Sequence, residues 1–378
     1  MMARKVCYIT GTRADFGLIQ STLQRIQQSE RLELSLIVTG MHLLPEYGLT
    51  VGQIEAAGLP IAARVAVEDG LPTGALMARN VGRMLIGFVE ALEKIAPDIV
   101  VVLGDRGEML AGALAAIHLD IPVVHIHGGE RSGTVDEPVR HAISKLAHFH
   151  FVATDEGKTR LVRMGEIADR IFVVGAPGLD DIKQAVLTGR EKLCADAAFD
   201  PARPVALMVY HPVLQEAGMS ADHTAHIVDA VLGKGIQIMA LKPNSDAGSA
   251  GVRKVLEARA SAGDISLSTH LPRTEFLSWL AACDVLVGNS SSGIIEAASF
   301  GTPVVNIGSR QNLRQRNANV IDCGVDRAGL DEALTRALAA GRFDRHNVYG
   351  DGRAGERIVS LLTQIELSQS LVAKTNAY

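Results

Sequence analysis

The most informative residues of this chain are polar ones that directly follow apolar, β-branched runs. Thr10-Gly11-Thr12-Arg13-Ala14-Asp15-Phe16-Gly17 is the first such cluster. It is neither the GxGxxG fingerprint of a dinucleotide site nor a Walker P-loop, so no dinucleotide or ATP cofactor is expected. A glycine turn with Arg13 opening a helix suits a phosphate, and equally suits a surface arginine beside a turn. Gly104-Asp105-Arg106-Gly107-Glu108 follows the most apolar run of the chain. Asp105 there is a general base or a helix cap, and capping is the commoner use. His125-Ile126-His127-Gly128-Gly129-Glu130 is followed by Thr134-Val135-Asp136-Glu137. In a strand spanning Pro122–His127, His125 and His127 point to one face and, with Glu130 or Asp136, would be placed to grip a metal. No further ligand spacing completes a recognised set, so no metal is expected. His148 and His150 read as packing and hydrogen-bonding residues.

The second half of the chain repeats the pattern. His211 in Tyr210-His211-Pro212 can donate a hydrogen bond to a phosphate or leaving-group oxygen, or be structural. Lys242-Pro243-Asn244 also ends a strand-like run. Gly288-Asn289-Ser290-Ser291-Ser292-Gly293 exposes backbone N–H groups and hydroxyls to an anion, or merely caps a helix. Glu296, about one turn further on, is placed to accept hydrogen bonds from ribose hydroxyls. Taken with Arg13, His211 and Arg310, the serine turn makes a nucleotide diphosphate site the economical account.

The elements that must position these residues are short apolar strands alternating with longer amphipathic helices. Strands are expected at Lys5–Thr10, Leu34–Thr39, Ala63–Val67, Ile99–Leu103, Pro122–His127, Phe149–Ala153 and Ile171–Val174. After the turn Gly175-Ala176-Pro177-Gly178 and a loop over Ala195–Pro204, strands resume at Val205–Tyr210, Gln237–Leu241, Val285–Gly288 and Pro303–Ile307. Helices are expected at Leu76–Lys94, Glu137–Ala147 and Gly355–Gln369. The pattern predicts an α/β protein of two Rossmann-like, doubly wound domains facing a central cleft. Residues 1–178 form the first domain, 179–354 the second, and 355–378 a terminal helix crossing back to the first. The 378 residues fit two domains of ordinary size. With 37 Lys plus Arg against 42 Asp plus Glu, the net charge of −5 excludes nucleic-acid affinity driven by overall charge. No run approaches the ~20 apolar residues that cross a bilayer. The strand-like start leaves no room for a signal peptide, and Cys7, Cys194, Cys283 and Cys323 form no CxxC pair, so a reduced, cytoplasmic setting is expected.

At these same residues the chain resembles the hydrolysing UDP-N-acetylglucosamine 2-epimerases of sialic acid biosynthesis, from Val6 to about Val359. The most specific stretch is Gly128-Gly129-Glu130-Arg131-Ser132-Gly133-Thr134-Val135-Asp136, continuing through Arg140-His141-Ala142-Ile143-Ser144-Lys145. Thr12-Arg13-Ala14-Asp15, Gly104-Asp105-Arg106, His211-Pro212, Pro243-Asn244, Asp246-Ala247-Gly248-Ser249, Gly288-Asn289-Ser290-Ser291, the run from Phe300 to Asn306, and Arg310 also match. The resemblance implies a glycosyltransferase-B-like fold, a UDP-sugar as ligand, no cofactor, and a homodimer or homotetramer. It implies elimination of UDP from UDP-N-acetylglucosamine to a 2-acetamidoglucal, then hydration to N-acetylmannosamine. Arg13, Arg106, Glu130, His211, Asn244, Ser290, Ser291, Glu296 and Arg310 then bind substrate, with His211 also counted among the catalytic residues. Asp105, Asp136 and His127 are the candidate proton-transfer groups.

One departure bears on the sugar. The position of His127 carries a Glu in the typical sialic acid enzymes. The His resembles a sister branch acting on 2,4-diacetamido-2,4,6-trideoxy sugar nucleotides on the way to legionaminic acid, which makes that sugar the alternative substrate. A non-hydrolysing 2-epimerase, a nucleotide-sugar glycosyltransferase and a non-catalytic binding regulator are the other classes. The last two need no acid/base pair at C2.

Overall fold

The computed structural model describes residues 3–180, 182, 185–368 and 371–377. Its strands form two sheets whose paired neighbours are parallel. The first contains β1 (Arg4–Thr10), β2 (Leu32–Thr39), β3 (Ile61–Val65), β4 (Ile99–Leu103), β5 (Val123–Ile126), β6 (Phe149–Val152) and β7 (Ile171–Val173), in the order β3-β2-β1-β4-β5-β6-β7. The second contains β8 (Val205–Val209), β9 (Gln237–Leu241), β10 (Ser266–Ser268), β11 (Val285–Gly288), β12 (Val304–Ile307) and β13 (Val320–Cys323), in the order β10-β9-β8-β11-β12-β13. Each order reverses once, between β1 and β4 and between β8 and β11. There the loops leaving adjacent strands diverge to opposite faces, and a crevice opens beyond the strands' carboxyl ends.

The central strands explain the architecture. Every residue of β4, Ile99-Val100-Val101-Val102-Leu103, is buried. Its alternate side chains enter two different cores, Val101 with Phe16 and Leu23 on one face, Val100 and Val102 with Met84 and Phe88 on the other. Such two-sided burial is what a parallel strand covered by helices on both faces requires. β10 and β13 escape the sequence pattern because they are edge strands. Ser266-Leu267-Ser268 and Val320-Ile321-Asp322-Cys323 are short, half-exposed and partly polar, with no continuous apolar run. The loop expected from Ala195 begins later, after a helix at Arg190–Asp196.

One expected strand end is corrected. β5 stops at Ile126, and His127 has φ of +64°, a left-handed conformation rare outside glycine. The alternation that would set His125 and His127 on one face is broken at that residue.

The last helix, Ala354–Gln364, follows the second sheet in sequence but belongs to the first sheet's core. Its Ile358 and Leu362 are buried with Phe16, Leu23 and Ile26. Arg4 donates to the Ile365 carbonyl at 2.8 Å, and Lys374 binds Glu166 at 2.6 Å. The helix ends at Gln364, short of the expected Gln369, which lies outside the described residues. No helix among the described residues is long and apolar enough to cross a membrane.

This packing has a measurable consequence. Ile358→Ala should destabilise the protein by about 2–5 kcal/mol, as a buried Ile-to-Ala deletion does. A shift of the urea midpoint worth under about 0.5 kcal/mol would mean that the helix is not part of that core.

Candidate active site

The crevice is built by the loops at the two switch points and by what faces them. After β1, Thr12 caps the helix Arg13–Gln27 in a reciprocal box. Its Oγ1 accepts from the Asp15 N–H at 3.2 Å, while the Asp15 carboxylate accepts from the Thr12 N–H at 2.6 Å. Asp15 also accepts from Thr10 Oγ1 at 2.6 Å and Tyr8 Oη at 3.2 Å, so it fixes the loop. Arg13, thus presented, has a buried Nη1 with no hydrogen-bond partner among the described residues, and burial lowers its pKa to about 10. A half-desolvated guanidinium without a counter-charge is a ready anion site.

After β4, Asp105 is not the helix cap that sequence allowed. The capping position is Arg106, whose side chain makes no capping bond. Asp105 instead forms an ion pair with Arg140, which is 1% exposed, and lies 3.7 Å from Arg314. Burial opposes its ionisation, but Arg140, Arg314 and Arg310 outweigh it and hold its pKa below the usual carboxylate value. Asp136, at the start of the helix Asp136–Leu146, is shifted the other way. Burial and the charge of Asp105 raise its pKa against the pull of Arg310, 3.9 Å away. Two facing carboxyls with opposed proton affinities are the recognised mark of acid/base division of labour.

His127 and Glu130 form a buried dyad, with His127 Nδ1 2.6 Å from Glu130 Oε1. The other Glu130 oxygen is 2.6 Å from Arg314 Nη1. Burial pushes the Glu130 pKa up, yet Arg314 and His127 hold it far below the usual range. His125 is separate: its Nε2 meets the Gly104 carbonyl at 2.7 Å and its Nδ1 meets Ser144 Oγ at 3.0 Å. Burial lowers its pKa to about 3, which makes it a neutral packing residue. His148 Nδ1 accepts from the Val123 N–H at 3.0 Å, and His150 pairs with Glu166 at 3.0 Å. Among the described residues no group of three or more His, Cys, Asp or Glu side chains is arranged to hold a metal ion.

Across the crevice, Gly288 has φ of +138°, and a Cβ there would strike the Val209 carbonyl, so β11 and β8 require glycine at this crossing. Asn289 clamps the backbone of His211 through two 2.8 Å bonds. The Asn244 N–H points at His211 Nδ1, 3.4 Å away, which leaves the imidazole proton on Nε2. Burial, Arg310 and other cations lower the His211 pKa to about 3, so it is a neutral donor. Asn244 also holds Asp246 at 2.6 Å. Ser290 Oγ is engaged as a cap, accepting from the Ser292 N–H at 3.3 Å and from Ser292 Oγ at 2.9 Å, whereas Ser291 opens the helix Ser291–Ile295. Arg310 donates to the Asn289 carbonyl at 3.1 Å. Glu296 is 3% exposed and already paired with Arg273.

Sequence reasoning gave no role to Arg140, Asp246, Asn289 or Arg314. Arg140 lies one helical turn after Asp136, a spacing that puts both on one face. Arg310, Arg314 and Arg316 crowd seven residues that lack any period, and that charge density was the available signal. Several of these contacts join the halves: Arg106 to Asp246 at 3.3 Å, Arg310 to Asp136, and Arg314 to Glu130. Gly133 approaches so closely that a Cβ would run into the Ser309 carbonyl. The crevice can therefore hold an anion between Arg13, His211 and Arg310, beside a carboxyl pair and a His–Glu dyad.

A family model described as UDP-N-acetylglucosamine 2-epimerase matches residues 24–363. The UDP-N,N'-diacetylbacillosamine 2-epimerase (hydrolyzing) of Legionella pneumophila is 50% identical over 377 residues, 100% of each chain. A UDP-N-acetylglucosamine 2-epimerase of Neisseria meningitidis serogroup B is 35% identical, over 93% of this chain and 92% of its own. The two-sheet fold superposes on a UDP-GlcNAc 2-epimerase from Neisseria meningitidis bound to UDP-GlcNAc with a TM-score of 0.79, at 19% identity, covering 96% of this chain and 100% of that one. These matches, on a fold and crevice of this form, establish that the chain belongs to the UDP-N-acetylglucosamine 2-epimerase family.

Proposed function

We propose that the protein is a hydrolysing 2-epimerase of UDP-2,4-diacetamido-2,4,6-trideoxyglucose, releasing UDP and the free manno-configured sugar. The observation that carries the reading is His127 at the acid/base position, locked to Glu130, in a chain 50% identical throughout to an enzyme named for that sugar. N,N'-diacetylbacillosamine is that 2,4-diacetamido-2,4,6-trideoxy hexose. UDP-N-acetylglucosamine, the first expectation from sequence, gives way because the relative named for it is 35% identical.

The chemistry follows from which bonds are difficult. The C2 proton is not flanked by a carbonyl, so C1–O cleavage leads and its electron pair departs with UDP. Arg13, Arg310, Ser291 and the Nε2–H of His211 receive the departing diphosphate. Glu296 takes the ribose, sharing its carboxylate with Arg273. Asp136 accepts the C2 proton, because its proton affinity is raised. Asp105, clamped by two arginines, is a poor acceptor, and its charge raises the affinity of Asp136. His127, oriented by Glu130, returns a proton to C2 of the glycal from the opposite face while water adds at C1 and gives up its own proton to solvent. Arg106 and Asn244 act through Asp246 to hold the halves together around the sugar. We also place the domain boundaries at 178/179 and 354/355, supported by the two sheets and by the terminal helix packed on the first. The enzyme is further proposed to be cytoplasmic and homo-oligomeric.

Incubation with either UDP-sugar in D2O, followed by proton NMR, tests the reaction. Free UDP and a reducing manno sugar deuterated at C2 are expected, formed from the diacetamido substrate with the higher kcat/KM. Deuterated sugar still attached to UDP would mean a non-hydrolysing enzyme. A gluco sugar with its C2 proton intact would mean transferase-type hydrolysis. Asp136→Asn should lower kcat by about 10²–10⁴-fold with the UDP inhibition constant unchanged. A loss below about tenfold would reject its role as proton acceptor.

A further inference from the structure

A cavity of about 360 Å³ opens beside the carboxyl pair, with both Asp105 and Asp136 in its wall. Arg13, His211, Ser291, Glu296 and Arg310 do not line it, but Asp246 and Arg106, which lie in the field of His211, do, so it adjoins the anion site without containing it. Its volume is near the lower end of small-molecule sites, about 300–1,000 Å³, and so suits a hexose rather than a whole nucleotide sugar.

The lining is apolar where the sequence had no motif. Met41, Leu44 and Tyr47 come from the segment after β2, Met77 and Val81 from the helix Gly74–Ile95, and Leu214 from the opposite half. Three polar groups at its rim are already engaged. Arg106 is paired with Glu108 at 2.9 Å and with Asp246, and Glu68 is paired with Arg83 at 2.9 Å. Asn80 exchanges two hydrogen bonds with the backbone of Glu68, at 2.8 and 3.0 Å.

With the diphosphate at C1 held by the anion site and C2 turned to Asp136, the far edge of a pyranose ring, C4 to C6, must enter this cavity. We infer that the cavity is the hexose compartment and that its apolar wall selects a sugar bearing an N-acetyl group at C4 and a methyl at C6. This inference rests on the substrate reading above. A hydroxyl at C6 would meet the apolar wall without a partner, which burial penalises, whereas the C6 methyl and the methyl of the C4 acetyl group would not. Methyl groups would fill it, and a methyl-sized difference in such a pocket gives about 10–200-fold discrimination.

The test is the ratio of kcat/KM for the diacetamido substrate to that for UDP-N-acetylglucosamine, in wild type, Met77→Gln and Val81→Thr. Both replacements keep nearly the original volume, and a thermal melt by circular dichroism confirms the fold; either variant alone suffices. The ratio should fall about tenfold in each, with inhibition by UDP unchanged. If wild type prefers the diacetamido sugar and the variants keep its ratio, the wall does not select and the inference fails alone. If wild type prefers UDP-N-acetylglucosamine, the substrate reading fails and takes the inference with it.

Discussion

The arrangement depends on the ion pair between Asp105 and Arg140. Arg140 is 1% exposed, and among the described residues it donates, beyond Asp105, only to the Glu130 carbonyl at 3.1 Å and Ser132 Oγ at 3.3 Å. A buried cation left without its counter-charge costs about 3–5 kcal/mol. The pair therefore ties the loop after β4 to the helix that Asp136 begins. Because Arg140 and Asp136 share one face of that helix, the tie also fixes where Asp136 stands relative to Asp105. One interaction thus sets the spacing of the two carboxyls and keeps one of them ionised, which makes the other the stronger base.

The second half of the molecule completes what the first begins. Arg314 reaches from the segment after β12 to both Glu130 and Asp105, and Arg310 reaches to Asp136. Without these arginines the first sheet's crevice would hold three carboxylates close together with less compensation, and their proton affinities would rise together. Docking of the halves, with Gly133 against Ser309, is therefore also an electrostatic event: it lowers the charge burden and orients His127 through Glu130. A site made of two incomplete half-sites reacts only when both are in place.

The fold was largely legible because its strongest signals are local. Runs such as Ile99–Leu103 are apolar at every position, and only a strand covered on both faces satisfies them. Edge strands gave no such signal, because half of each is exposed. In the site, residues that follow strands were legible, since parallel sheets put their loops at one end. What each does there was not. Asp105 read as a base or a cap because its partner Arg140 lies 35 positions away and only the packed helix brings them together. The pairing of His125 with His127 failed for a backbone reason, since a single residue at positive φ cancels strand alternation. Arg314 stayed invisible because a cross-cleft contact leaves no periodic trace.

The central claim is that Asp105 acts by tuning Asp136 rather than by taking the proton itself. The pH dependence of kcat/KM for Asp105→Asn measures this directly. In the proposed mechanism Asp136 accepts the proton and so must be ionised, and the charge of Asp105 raises its pKa. Asparagine keeps an oxygen for Arg140 to donate to but removes the charge, so the Asp136 pKa falls and the acidic limb of the profile should move to lower pH while turnover, lowered by the weakened tie, persists above it. Loss of activity by about 10²–10⁴-fold at every pH, with UDP still bound as in wild type, would contradict the account and make Asp105 the base.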